Sequence, residues 1–261
     1  MKYILNILFI SLLIFFSGCT NKTIEYTQTI QQSNTDDDSD DFLDEFEDEM
    51  EIKEVYDPLN SYNRVMTSFN DGLYQYILTP VATGYEKVVH KEIRTSIKNF
   101  FNNIFYPIRL VNNILQGKGK NAAEETGRFV INTTIGLFGL FDPATSYFDL
   151  KVHNEDFGQT LGFWGVGAGP HIVLPFLGPS NLRDMLSLYP DSYASPVDYY
   201  KSRGYNLSNN YNESILLKAY EKLNYVSLHN GEYEKLKKDA VDLYPYLRDI
   251  YEQYREQQIK E

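Results

Sequence analysis

Cysteine occurs once in the 261 residues, at position 19, and tryptophan once, at position 164. A lone cysteine excludes an intramolecular disulfide framework. Histidine is sparse: His90, His153, His171 and His229 are scattered, and no pair has the H-E-x-x-H spacing of a helical zinc site. His153, Glu155 and Asp156 are close in sequence, but a cation there would lack a fourth ligand, and an exposed turn is the alternative. The G-x-S-x-G elbow of a lipase is absent, so Ser180, His171 and Asp184 would form a relay only by tertiary accident. Gly165, Gly167 and Gly169 are not followed by Lys-Ser or Lys-Thr, and no clear strand precedes them, which argues against a nucleotide loop. The expectation is a non-enzymatic protein with no catalytic residue, metal or cofactor.

Charge is missing where length would suggest a membrane. Residues 157–182 contain no Asp, Glu, Lys or Arg over 26 positions, yet nine of these are Gly or Pro. About 20 apolar residues cross a bilayer core as a helix, but that density of helix breakers prevents one. Such backbone belongs in a protein core or in a protein-lined cavity at membrane depth. Residues 129–141 form a second uncharged stretch, too short to span. It reads either as a buried helix end and loop or as an apolar hairpin, loosened by Gly136 and Gly139, that meets lipid.

The net charge of −12 is unevenly spread. Residues 36–54 hold twelve acids and one lysine, a net of −11, leaving +1 over residues 1–35 and −2 over 55–261. The body is thus nearly neutral, and no basic surface for nucleic acid is indicated. Residues 1–18 have the charged start, apolar stretch and small residues of an export signal, followed at once by Cys19. F-S-G-C resembles a bacterial lipobox, which implies diacylglycerol and an N-acyl chain on Cys19. Thr20, rather than Asp, after the cysteine favours the outer membrane. Residues 19–54 then read as an acidic disordered tether, with Phe42, Leu43, Phe46 and Met50 able to form a short helix on a partner.

The body carries mainly helical periodicity, with few alternating β patterns and no internal repeat. Asp57-Pro58 reads as a helix start, followed by Tyr62, Val65, Met66, Phe69, Leu73 and Ile77 up to a stop at Thr79-Pro80. Ile93 to Phe105 continues past a bend at Pro107 to Leu115 and a stop at Gly117. A shorter helix is expected over 121–129, and two further helices over 211–228 and 232–258, joined near Asn230-Gly231. The last helices are charged on one face and suit water. Tyrosine is abundant, 22 in all, and clusters at Tyr189, Tyr193, Tyr199, Tyr200 and Tyr205. Either core packing or a water–lipid boundary accommodates it.

Several blocks resemble the MlaA (VacJ) family of outer-membrane lipoproteins. They are D-P-L-N-S-Y-N-R from position 57, L-T-P-V-A-T-G-Y from 78, N-F-F-N-N-I from 99 and V-N-N-I-L-Q-G-K from 111. G-R-F-V-I-N-T-T-I-G-L-F-G-L-F-D-P-A follows from 127, and the longest block runs from Glu155 to Asp184. The resemblance covers about residues 55–200; His171 stands where the family is expected to have Tyr. It implies an all-α fold in which amphipathic helices (55–205) form a ring in the outer membrane around a central channel. A C-terminal extension (206–261) would face the periplasm. It further implies that mislocalised phospholipid leaves the outer leaflet through that channel for a periplasmic MlaC-like carrier, with a porin trimer as a possible partner. A structural or adaptor lipoprotein that holds a porin or the cell wall is the alternative.

The residues present suit that role. A phospholipid with about 30 acyl CH₂ groups loses on the order of 25 kcal/mol on exposure to water, and its headgroup is costly to move through hydrocarbon. A channel must offer polar groups to the head and apolar surface to the tails. Asn132, Thr133, Thr134, Gly136, Leu137, Phe138, Gly139 and Leu140 are expected to form a gate hairpin. Arg183 and Asp184 are expected to anchor the end of the charge-free run through a salt bridge or cap.

Overall fold

The computed structural model describes residues 57–261. The export signal, Cys19 and the acidic segment lie outside the described residues. The body forms one compact unit that begins at Val55.

Eleven helices and one hairpin follow in order. They are α1 (Asn60–Leu73), a wide π-type turn (Tyr74–Leu78), α2 (Thr79–Val88), α3 (Lys91–Ile104), α4 (Tyr106–Leu115), α5 (Gly119–Thr134) and α6 (Pro143–Phe148). Next come α7 (Phe157–Phe163), β1 (His171–Leu174), β2 (Gly178–Asn181), α8 (Leu182–Ala194), α9 (Tyr211–Leu228), α10 (Glu232–Asp239) and α11 (Leu243–Lys260). The fold is mainly helical, as expected. Among the described residues no helix is long and apolar enough to cross a membrane.

Four expectations are corrected. Asp57 does not cap α1, which starts at Asn60 without a side-chain cap. Its carboxylate instead accepts from Asn60 and Asn63 at 3.1 and 3.2 Å and from the Tyr244 hydroxyl. Thr79-Pro80 does not end the first helical run. Proline lacks an N–H and its ring crowds the carbonyl four residues back; the π-type turn widens the chain there and α2 follows directly, with Pro80 in its first turn. The helix expected over 121–129 extends to Gly119–Thr134. The single helix expected over 232–258 is two, α10 and α11, separated at 240–242, where the Asp242 carboxylate accepts from Tyr244 N–H as an N-cap.

The break after α3 falls at Phe105, with Pro107 in the first turn of α4 where its missing N–H costs nothing. Gly117 (φ 71) ends α4 as a left-handed cap, and Lys118 N–H donates to Asn113 O at 2.9 Å. The charge-free run divides into α7, a glycine-bearing turn and an antiparallel hairpin that pairs His171 with Asn181 and Leu174 with Gly178. Among the described residues this hairpin is the one strand pair, and the periodicity did not suggest it.

Polarity is inverted relative to a protein stable in water. Among the described residues, twenty-seven polar or charged residues are buried against eight hydrophobic ones, while forty-one large hydrophobic residues are exposed. Individual helices show how this arises. On α1, Asn63 and Thr67 are buried four residues apart while Val65 and Phe69 face outward. On α5, Glu125, Arg128 and Asn132 repeat at helical spacing on the inner face, and Val130 is exposed. On α1, α4 and α5 the polar stripe is the buried one, whereas α2 buries only Ala82 and α10 buries nothing.

Candidate functional site

The buried polar residues form connected clusters. Between α4 and α5, Arg109 Nε donates to Glu125 Oε2 at 2.7 Å, and the other Glu125 oxygen accepts from His153 N–H at 2.7 Å. Arg128 reaches Asp142 Oδ2 at 2.8 Å and Thr145 Oγ1 at 2.6 Å. Asn132 donates to Asp142 Oδ1 at 2.9 Å and accepts from Ala144 N–H at 3.0 Å. A narrow cleft of about 10 Å³ lies among them, lined by Asn99, Asn102, Asn103, Arg109, Arg128 and Asn132 with Phe129, Asp142 and Val152. Its lining combines amide groups with two guanidinium groups, each paired with a carboxylate, Arg109 with Glu125 and Arg128 with Asp142.

The expected gate segment borders this cleft through Asn132. Asn132, Thr133 and Thr134 are the last turn of α5, and Ile135 to Phe141 fold back as successive turns. Phe138 N–H donates to Thr133 O at 3.0 Å, Gly139 N–H to Asn132 O at 2.8 Å and Phe141 N–H to Gly136 O at 2.9 Å. Leu137 and Phe138 both take positive φ, 52° and 60°, uncommon for bulky residues, and Phe138 is 74% exposed. The glycines permit close approach: a Cβ on Gly136 would lie 2.5 Å from Asn132 O and Phe141 O, and one on Gly139 2.4 Å from Asn103 Cβ. The segment therefore has a polar root in the cleft and an apolar tip standing free of the described body.

The end of the charge-free run is tied to the C-terminal helix. Asn181 caps α8 by accepting from Asp184 N–H at 2.9 Å. Arg183 Nε donates to Asp184 Oδ1 at 2.9 Å, while Asp184 Oδ2 accepts from Arg255 Nε at 2.8 Å and from the Tyr251 hydroxyl at 2.7 Å. Arg255 also grips Asp156 with two parallel bonds of 2.7 and 2.8 Å. Burial works against the charge of Arg255, but Asp156 and Asp184 outweigh it and hold its pKa above the usual value. Burial and donation to Asp184 raise the Tyr251 pKa, so that hydroxyl stays a donor. At the other end of α11, burial and Asp57 push Tyr244 up to about 12, keeping it protonated beside that carboxylate. Asn63 Nδ2 lies 3.0 Å from Tyr244 Oη and 3.1 Å from His171 O, and its Oδ1 accepts from Val173 N–H at 2.8 Å. One amide thus joins α1, the hairpin and α11.

The groups considered for catalysis or metal binding do not converge. His153 Nε2 is 2.7 Å from Glu124, Glu155 is held by Gln116 and Lys118, and Asp156 by Arg255. Ser180 Oγ donates to Asn181 O at 3.4 Å, whereas His171 Nδ1 is 2.8 Å from Glu252. Among the described residues no group of three His, Cys, Asp or Glu is arranged to hold a metal ion. Sequence reasoning missed Asn63, Glu125 and Arg255. A signal existed in asparagine recurring inside apolar helices, at 99, 102, 103, 112 and 113.

The MlaA lipoprotein family matches residues 55–258, so the likeness extends through the C-terminal helices and not only to about residue 200. An uncharacterized protein of Rickettsia typhi is 35% identical over 208 residues, 79% of this chain and 79% of that one. The intermembrane phospholipid transport system lipoprotein MlaA of Haemophilus influenzae is 35% identical over 144 residues, 54% of this chain and 58% of its own. Its namesake in Escherichia coli is 39% identical over 131 residues, 49% and 52% of the respective chains. A solved chain from work on the structural basis for maintenance of bacterial outer membrane lipid asymmetry superposes with a TM-score of 0.67 at 30% identity, covering 78% of this chain and 100% of that one. With a family match over most of its length and a fold shared at that identity, the chain belongs to the MlaA lipoprotein family.

Proposed function

We propose that this protein removes phospholipid from the outer leaflet of the outer membrane and passes it, chemically unchanged, to a periplasmic carrier of the MlaC type. The carrying observation is the inverted polarity: apolar side chains face outward and polar ones inward along the same helices. Such a body lies comfortably in a membrane, with its amphipathic helices as a ring and the Asn- and Arg-lined interior as the headgroup path. The acyl tails remain against apolar surface throughout. Acyl chains on Cys19 anchor the N-terminus, and the C-terminal helices face the periplasm. No nucleophile, metal or cofactor takes part, and a porin trimer is a candidate partner around the ring. The segment Asn132 to Leu140 gates the path, its apolar tip in lipid and its root on Asn103, where Asn103 Nδ2 donates to Thr133 Oγ1 at 2.9 Å.

Reconstitution of the purified protein in vesicles with labelled phospholipid and an acceptor protein tests this reading. Transfer of intact lipid is expected. Released fatty acid would mean an enzyme, and neither product would mean an adaptor.

A further inference from the structure

A second concavity lies apart from the Asn-lined cleft. The end of α1 and its π-type turn (Leu73, Leu78), the hairpin (Val173, Phe176) and the C-terminal helices (Tyr225, Leu236) surround a half-open space of about 280 Å³. That is close to the lower bound of the about 300–1,000 Å³ typical of small-molecule sites, room for part of one acyl chain and not for a whole lipid. The walls are predominantly apolar, and charged or imidazole groups come from one side, as Lys222 of α9, His229 at its C-cap and Glu232 of α10.

Two backbone irregularities face this space. The π-type turn lends it Tyr74 and Leu78, and such turns recur at functional sites. Phe176, at the hairpin tip, holds φ at 67°, a costly conformation for an aromatic residue. Asn70 fixes it there, accepting from Phe176 N–H at 2.8 Å and donating to Leu174 O at 2.9 Å. Lys222 forms no ion pair with another described residue; its Nζ lies 5.6 Å from the Tyr225 ring centre. None of the unpartnered buried side-chain polar atoms lines the concavity. A peptide segment placed there would leave its own N–H and C=O groups without partners, whereas hydrocarbon needs none.

We infer that this concavity holds part of an acyl chain of a phospholipid, with the lipid phosphate at Lys222. The inference rests on the phospholipid-handling reading above and adds a holding site at the junction of α1, the hairpin and the C-terminal helices, separate from the polar path. A lipid seated there touches the elements that the family match carries beyond residue 200.

The test uses full-length, detergent-purified protein and phosphatidylethanolamine with a photoactivatable diazirine at the end of one acyl chain. Adducts mapped by peptide mass spectrometry are expected within residues 73–78 and 225–236. Unlabelled phosphatidylethanolamine should compete, and inorganic phosphate should not. Lys222→Glu should lower adduct yield about tenfold at limiting lipid. Leu78→Trp, which fills the space, should abolish it, and Leu236→Trp at the lip replaces that variant if its melting shows misfolding. Vesicle transfer is measured on the same preparations. Wild-type transfer without adducts in those segments overturns the holding site and leaves the transport reading standing. Adducts without any transfer overturn the transport reading alone. Adducts indifferent to competitor and to all three substitutions are nonspecific contact and overturn the site. Adducts that arise only after removal of residues 36–54 would make that segment the natural occupant and overturn it too.

Discussion

Glu125 has no exposed surface, yet both its oxygens are committed, one to Arg109 and one to the backbone of His153. A buried ion pair of this kind is sustained only by complete hydrogen bonding, and removing one partner strands the other charge. Glu125→Ala should therefore destabilise the body by about 3–5 kcal/mol, read as a lowered melting temperature in detergent. The pair Arg109→Met with Glu125→Leu should cost much less, because no charge is left behind. Asn63→Leu should cost about 1–3 kcal/mol, since Val173 N–H loses its acceptor. Sequence periodicity located these helices but assigned their faces only in part. The apolar stripe was legible; that the polar stripe is the buried one is a property of the surrounding solvent, which no single helix records. Asn63 and Glu125 look like ordinary exposed residues until their partners, which come from distant elements, are known.

Elements are joined by close approaches that the sequence encodes as glycine. A Cβ on Gly158 would lie 2.4 Å from Asp184 Oδ1 and 2.7 Å from Arg255 Nη2, and one on Gly162 would lie 2.5 Å from Ile259 Cδ1. Those two positions, one turn apart on α7, make the shallow face on which α11 docks. Gly158→Ala and Arg255→Lys should both loosen α11, the second because a lysine cannot reproduce the forked contact with Asp156 and Asp184. Faster limited proteolysis at 240–242 than in the wild type is the expected readout, with a loss of about 2–4 kcal/mol. That break escaped the periodicity because Ala240, Val241 and Asp242 contain no Gly or Pro. The cue was Pro245, which belongs in a first helical turn, with Asp242 as the cap before it. For the gate segment, cysteines at Asn99 and Leu140, where Asn99 Nδ2 reaches Leu140 O at 3.4 Å, provide a lock. Oxidation should stop lipid movement at unchanged protein abundance and reduction should restore it; outer-leaflet phospholipid unchanged by the lock would remove the gate from the mechanism.

At the scale of the whole molecule, the proposed anchoring would draw on two separable sources, the acyl chains expected on Cys19 and the apolar exterior of the folded body. Among the described residues, forty-one exposed large hydrophobic residues, including Phe138, Phe141, Leu182 and Leu186, offer more apolar surface than the chains of one lipidated cysteine. At about 25 cal/mol per Å² of apolar surface removed from water, even a fraction of that exterior outweighs two or three acyl chains. The acidic stretch at 36–54 allows the two sources to be severed, since it precedes the compact unit. With a protease site inserted there and the protein reconstituted in vesicles, cleavage should leave the body in the membrane pellet through high salt and carbonate washes. Acidic substitutions on the outward faces, Ile135→Glu with Leu186→Glu, should then release it after cleavage but not before. A body that leaves the vesicles on cleavage alone would be a peripheral lipoprotein tethered by Cys19, and the inward polar stripe would have to be explained by a partner that covers the apolar faces instead of by lipid.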